Sequence, residues 1–600
     1  MNRIGDGACQ GRLTAGSACV AGVRSRPVGR FRHGPHSFFV IRANGAAVLC
    51  QKGRTALFAS RLRKLIQSSA TVAVVATAAA ACGGGSATDQ PVGEPVYGGS
   101  LAFYDPVEYN AWTPVNSIWS NSQVSNNLAE RLIWQDPITG EYKPWLAESY
   151  QTSDDHLAYT FKLRSGVTFS DGTPLDAAVV KANFDQHGFG DESLGITQDP
   201  FWTDYAGTDV VDDSTVVVRL SKPNAGFIQI LSNYRASSIL GKSTLEKDLN
   251  GQSDLRNWVG TGPFVVESVE GTTGVTLKRR DDYDWAPEGS KHSGKAYLER
   301  IVFKTVPEAG TRVGALQSGE AQIARNIAPY DEETVAAGGG TLLAIPVQGE
   351  TNDLTVRLDN PNSPLQDKQV RLALQAATDR QAINQAVLSP NYPIPSGALV
   401  KGTPLRGDSS RYLQHDLEKA KSLLDAAGWK PGPDGIRVKD GKRLSIHQRV
   451  APYYQVSQSV LEVLQSQWRE AGVEIKLTSP SLTEYEAQEQ SATDWFLTQG
   501  QTSTAEPSVL RTSYGSNRQN VTEKSPPDAK LDELLVAQSY EFDPEKRKAA
   551  IQAIEDHIFS EGYSIPLYDE TQVFGLGPTV QGFTTESTGR SWFYDTWLNG

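Results

Sequence analysis

The sequence predicts an α/β fold, and three observations carry that prediction. Helix-like and strand-like stretches alternate from Tyr97 to the end of the chain, with no internal repeat and no low-complexity tract. The 600 residues are 39% hydrophobic and 21% charged, the balance of a soluble globular chain rather than a disordered, fibrous or multispanning one. Helical stripes also run directly into alternating strands, as where Val456, Val460, Val463 and Leu464 are closed by Gly472 and followed by Val473, Ile475 and Leu477. The length suits roughly three to four domains of about 150 residues.

The remaining elements follow in chain order. Leu101–Tyr104 reads as a strand ended by Asp105-Pro106. Ala158–Arg164 alternates, placing Tyr159, Phe161 and Leu163 on one face. Asp171-Gly172 marks a turn, and a helix is expected from Ala177 to Phe184. Val210–Leu220 and Val275–Lys278 read as strands. The later third is more helical. Lys368–Leu388 carries Val370, Leu374, Ala377 and Ile383 at helical spacing. Leu417, Ala420, Leu424 and Ala427 form a second stripe, with Gly428 placed to end it. Asp543-Pro544 supplies a cap and a first-turn proline for a helix bearing Ile551, Ile554 and Ile558.

Charge is unevenly spread. Residues 1–81 hold twelve Lys or Arg and one acid, a net of +11, and subtracting that from the chain's −12 leaves −23 for residues 82–600. Such an acidic body argues against nucleic acid as a partner. All four cysteines (Cys9, Cys19, Cys50 and Cys82) lie at or before position 82, so the body can form neither an internal disulfide nor a thiolate metal site.

Arg61-Leu62-Arg63-Lys64 is a compact positive cluster, and Ala70–Ala81 is an uncharged run of small, mostly apolar residues. At twelve residues that run is far shorter than the ~20 needed to span a bilayer, and the layout is that of a secretory signal. Ala79-Ala80-Ala81 before Cys82, followed by Gly83-Gly84-Gly85-Ser86, resembles the lipobox of bacterial lipoproteins, although Ala79 stands where Leu is usual. The resemblance implies lipid attachment at Cys82, a signal peptide over 57–81 and a flexible tether over 82–96. Residues 1–56 fit no signal layout and are expected to be an extension upstream of the true start.

Several segments together resemble the family 5 solute-binding proteins, the extracytoplasmic receptors of peptide-type ABC importers. They are Leu146-Ala147-Glu148-Ser149-Tyr150, Tyr159–Arg164, Gly166–Leu175, Gly260-Thr261-Gly262-Pro263-Phe264, Asp282-Tyr283-Asp284-Trp285 and Leu316-Gln317-Ser318-Gly319-Glu320. Val370-Arg371, Ala377-Thr378-Asp379-Arg380 and Ala426-Ala427-Gly428-Trp429 follow in the same order. The resemblance implies a two-lobed periplasmic-binding-protein fold (type II, cluster C) with an extra domain and a hinge between the lobes. Lobe I would be 97–135, 258–348 and 565–600; lobe II, 136–257; and lobe III, 349–564. It also implies that Arg164, Asp171-Gly172, Arg371, Asp379 and Arg380 hold the fold together. The expected function is capture of an oligopeptide or other polar solute, delivered by a monomeric, lipid-anchored protein to a permease coupled to ATPase subunits. A surface lipoprotein acting in signalling or adhesion is the alternative.

No G-x-S-x-G, H-E-x-x-H or phosphate-loop motif occurs, and no two of the eight histidines stand at i, i+4, so neither catalysis nor a cofactor is expected. Ligand contacts are expected from two loops. Tyr109, Trp112 and Trp119 offer large amphipathic rings. The segment 494–514 offers Trp495, Gln501, Thr502, Ser503, Thr504, Glu506 and Arg511. Peptide-binding relatives carry an aspartate there that pairs with the peptide's α-amino group, and its place falls here on Ser503 or Thr504. Free-amine di- and tripeptides are therefore expected to bind poorly, unless Glu506 reaches in.

Overall fold

The computed structural model describes residues 93–109, 112, 121–358, 360–481, 484–485, 495–516 and 528–600. Cys82, the signal segment and Trp119 lie outside the described residues. Thr88–Gly600 forms one compact unit.

Seven strands make the largest sheet, in the order Thr341–Pro346, Thr571–Leu576, Ile323–Arg325, Ser100–Asp105, Arg300–Thr305, Gly274–Arg279 and Phe264–Glu270. Ser100–Asp105 runs parallel to both neighbours, with Phe103 opposite Phe303 on one side and Ile323 on the other. Parallel neighbours need long crossovers, so this sheet draws on three stretches far apart in the chain. Leu101 and Phe103 are fully buried, and Phe103 packs on Phe303 at 5.2 Å between ring centroids.

An antiparallel four-stranded sheet joins Ala147–Thr152, Ala158–Leu163, Thr215–Leu220 and Tyr205–Asp212. Tyr159, Phe161 and Leu163 are buried on one face, as their alternation predicts. The single strand expected over 210–220 is instead a hairpin. Asp212-Asp213-Ser214 interrupts it, and the Asp212 carboxylate accepts the Ser214 N–H at 2.8 Å. This sheet shares one hydrophobic core with the seven-stranded sheet.

A third group of elements surrounds an antiparallel sheet of Leu497–Gly500, Asn352–Val356 and Ser564–Tyr568. The last of these strands spans the expected crossing at 565, and the chain re-enters the large sheet at Thr571. The single helix expected over 368–388 is two, Lys368–Ala377 and Arg380–Val387. Between them the Thr378 hydroxyl donates to Leu374 O and accepts from Trp468 Nε1, while Asp379 caps the second helix through Ala382 N. Leu417–Ala426, Ser457–Glu470 and Pro544–Glu561 form as expected. Gly428 (φ +85°) and Gly472 (φ +89°) adopt the left-handed backbone that follows a helix end.

The expected structural arginines hold backbone carbonyls, and Arg371 also pairs with the Glu561 carboxylate at 4.0 Å. Arg371 donates to Leu365, Gln366 and Glu561, and Arg380 to Pro566, Thr378 and Leu413. Among the described residues no helix is long and apolar enough to cross a membrane.

Candidate functional site

A small cleft lies between the chain around Phe201, Gln229 and Ile230 and the chain around Thr504, Glu506 and Arg511. The two sides already touch. Thr504 Oγ1 donates to Gln229 Oε1 at 3.2 Å, and Ala225 N donates to Ser539 O at 2.8 Å. His156 stacks flat on Phe542, with ring centroids 3.6 Å apart.

The strand Leu497–Gly500 delivers the loop that forms one wall. Its pairing with Asn352–Val356 continues as Glu350 N to Thr502 O at 3.0 Å and a bridge between Gly349 and Ser503. Gln501 Nε2 donates to Val347 O at 3.4 Å. Trp495, at the strand's entry, is buried against two guanidinium groups, Arg449 at 3.5 Å from the ring centroid and Arg357 at 5.3 Å. Glu506 is 7% exposed and is tied to Arg547, Ser508 N and Ser508 Oγ. Its carboxylate is thus committed to the fold, although the residue lines the cleft.

Behind this loop lies an acidic face. Glu350 and Asp353 are buried, and Glu570 is half-buried. Asp353 accepts from Tyr514 at 3.1 Å, from Ser564, and from Thr355 at 3.1 Å. Asn352 Nδ2 donates to Glu570 at 3.3 Å, and Gln499 Nε2 donates to Asn352 Oδ1 at 2.9 Å. Desolvation pushes Glu350 up to about 8, Glu570 up to about 7 and Asp353 up to about 6.

The sequence profile of the bacterial extracellular solute-binding proteins, family 5 middle, matches residues 141–521, more than half of the chain. This chain belongs to the family 5 solute-binding proteins. It is similar to the glutathione-binding protein GsiB of Salmonella typhimurium, 29% identical over 459 residues that cover 73% of this chain and 82% of that one. Among solved structures it resembles NikA from Brucella suis, in complex with Fe(III)-EDTA, with a TM-score of 0.70, 25% identity, and coverage of 83% of this chain and all of that one. It also shares the fold of the oligopeptide-binding protein AppA from Bacillus subtilis, in complex with a nonapeptide, at TM-score 0.68 and 21% identity, covering 84% and 100%.

As a family 5 protein the chain has the two-lobed binding-protein fold, is not an enzyme, and binds solute for an ABC importer. Two of its sequence-predicted contacts are placed differently from expectation. Tyr109 and Trp112 are 1% and 4% exposed and stack on each other at 5.8 Å, with Tyr109 edge-on to Phe303. They pack into the core of the large sheet rather than standing out from a polar loop, because their rings bury more apolar surface there. Thr504, Glu506 and Arg511 line one wall, while Thr502 and Ser503 pair through their backbone with Glu350 and Gly349 beside it. Sequence reasoning missed Glu350, Asp353 and Glu570. They stand among polar neighbours such as Thr351, Asn352, Thr571 and Gln572, so no local pattern set them apart.

Proposed function

We propose that this family 5 protein is a lipid-anchored receptor that captures an oligopeptide or related polar solute between its lobes and hands it to an ABC permease. In this reading lobe I comprises 97–135, 258–348 and the chain from about 565 onward; lobe II is 136–257, and lobe III 349–564. The cleft is the observation that carries it: its walls come from chain assigned to lobes II and III, and they are polar on both sides. The described contacts across these walls include Thr504 to Gln229 and Ala225 to Ser539, and in this reading a hinge motion parts them, with a bound solute adding contacts to both faces. The name of GsiB and the nonapeptide seen in AppA support a peptide-like cargo.

Native mass spectrometry of the purified protein tests the cargo: a retained solute of peptide-like mass, released on partial unfolding, is the expected result. The anchor is tested separately. Radiolabelled palmitate should enter the wild type and not Cys82→Ala, and equal labelling of the two would remove lipidation at Cys82.

A further inference from the structure

Two acid-bearing turns from opposite walls meet on a single histidine. His156 lies at the tip of the hairpin between Ala147–Thr152 and Ala158–Leu163, and Phe542 lies in the loop between the helices Ala529–Ser539 and Pro544–Glu561. Their rings are nearly parallel, tilted by 7° with centroids 3.6 Å apart, and both residues are half-buried. Each side is held by its own backbone. Ser153 N donates to Ala158 O and His156 N to Ser153 O, both at 2.9 Å, which closes the hairpin with His156 at φ +56°. Histidine tolerates that left-handed backbone better than a β-branched residue does. Facing it, the Asp543 carboxylate accepts from Glu545 N at 3.1 Å and Lys546 N at 3.0 Å, which ties the turn carrying Phe542 to a helix start.

The charges around the stack are mostly acidic. Asp154 and Asp155 precede His156, and Glu541 and Asp543 flank Phe542, with Glu545 and Lys546 in the helical turn behind it. On the neighbouring strand Arg219 is committed to Asp209, and Lys222 follows. Asp155 lies below its ordinary value, first through the Ser153 hydroxyl, and the field of His156 adds to that. Meeting of the walls thus brings like charges together, with an imidazole between them. Histidine is the side chain whose charge changes between about pH 5 and 8. A protonated ring flat on Phe542 gains cation–π attraction and offsets the carboxylates on both sides, whereas a neutral ring does neither.

We propose that His156 and Phe542 form a proton-operated latch that favours the closed arrangement of the two walls in mild acid and releases it as the pH rises. This rests on the receptor reading, in which chain 136–257 and chain 349–564 part along this line, and adds to it a control on solute retention. The imidazolium gains its contacts only when the walls meet, so closing takes up a proton. Closure is therefore strongest where the imidazole is protonated and weakens where it is neutral.

Hydrogen exchange tests the latch without any solute. Ala225 N crosses the same line to Ser539 O at 2.8 Å and reports opening, while Ala177 N, bonded to Asp213 O at 2.9 Å within one wall, is the reference. Exchange is followed by mass spectrometry on the full chain, refolded free of solute, at about pH 5.5 and about pH 8, with each rate divided by its intrinsic rate at that pH. Relative to Ala177, protection of Ala225 should be about two- to fivefold greater at the acid end in the wild type. That ratio should be flat in His156→Asn, which suits the same backbone, and in Phe542→Leu, once circular dichroism establishes that both are folded. No pH dependence in the wild type, a dependence of the opposite sign, or one that survives either substitution overturns the latch while leaving the receptor reading standing. If Ala225 never opens except together with Ala177, these walls do not part, and the hinge between them fails along with the latch.

Discussion

Gly226 and Glu506 meet so closely across the cleft that a methyl group on the glycine would come within 2.9 Å of the Glu506 Cγ and Cδ atoms. Real side chains essentially never pack that tightly, and Glu506 cannot swing clear while Arg547 and Ser508 hold it. The two walls can approach this far only because position 226 has no side chain.

Gly226→Ala should therefore disfavour the closed arrangement without touching the ligand. Overpacking of this size costs about 1–3 kcal/mol, or roughly one to two decades of affinity. Calorimetry with the native solute would read that loss. Small-angle scattering should show the wild type contracting when the solute binds and the variant contracting less. Unchanged affinity would mean the Gly226–Glu506 contact is not part of the bound state.

A second prediction concerns the large sheet. Arg325 grips Asp105 with two hydrogen bonds at 2.9 and 2.6 Å, and both residues are buried on neighbouring strands. Asp105→Asn keeps the shape but removes the carboxylate that the buried guanidinium grips, a change that costs about 3–5 kcal/mol. Urea unfolding measures it. A loss below about 1 kcal/mol would mean that Arg325 finds compensation in its other contacts, among them Gln572 at 3.0 Å.

The third prediction is a pH dependence. Glu130 is fully buried and accepts from Tyr283 at 2.6 Å and Trp285 at 2.9 Å, yet desolvation still pushes it up to about 8. Glu555 is likewise pushed up to about 7, and Asp569 up to about 6. The folded state thus keeps protons that the unfolded chain releases near 4.5 for Glu and 3.8 for Asp. Their stabilisation is complete below those ordinary values and is lost as pH rises through about 6 to 8. Paired surface acids such as Asp282 and Asp425, whose values arginine partners lower, oppose this only on the acid side, as pH falls below 3.8. The melting temperature should peak in mild acid and fall toward pH 8, and Glu130→Gln should flatten that fall even if it lowers the peak. An unaltered slope would take Glu130 out of the explanation.

The sequence by itself determined the local elements and the family. Tyr159, Phe161 and Leu163 alternate because one face of their strand is buried, and Asp543-Pro544 starts its helix with groups whose chemistry acts within one turn. The motif order from Leu146 to Trp429 was legible for the same reason: such segments depend mainly on their own turns and pairings. What only the tertiary structure decided depends on neighbours distant in the chain. Thr378 breaks a well-patterned helix because Trp468, ninety residues on, binds its hydroxyl. Tyr109 and Trp112 read as pocket walls in the sequence, whereas in the fold they stack on each other with Phe303 edge-on to Tyr109. Glu506 looked free in the sequence, whereas in the fold Arg547 holds it. Burial and charge pairing are properties of the folded surroundings, and no spacing within a single stretch encodes them.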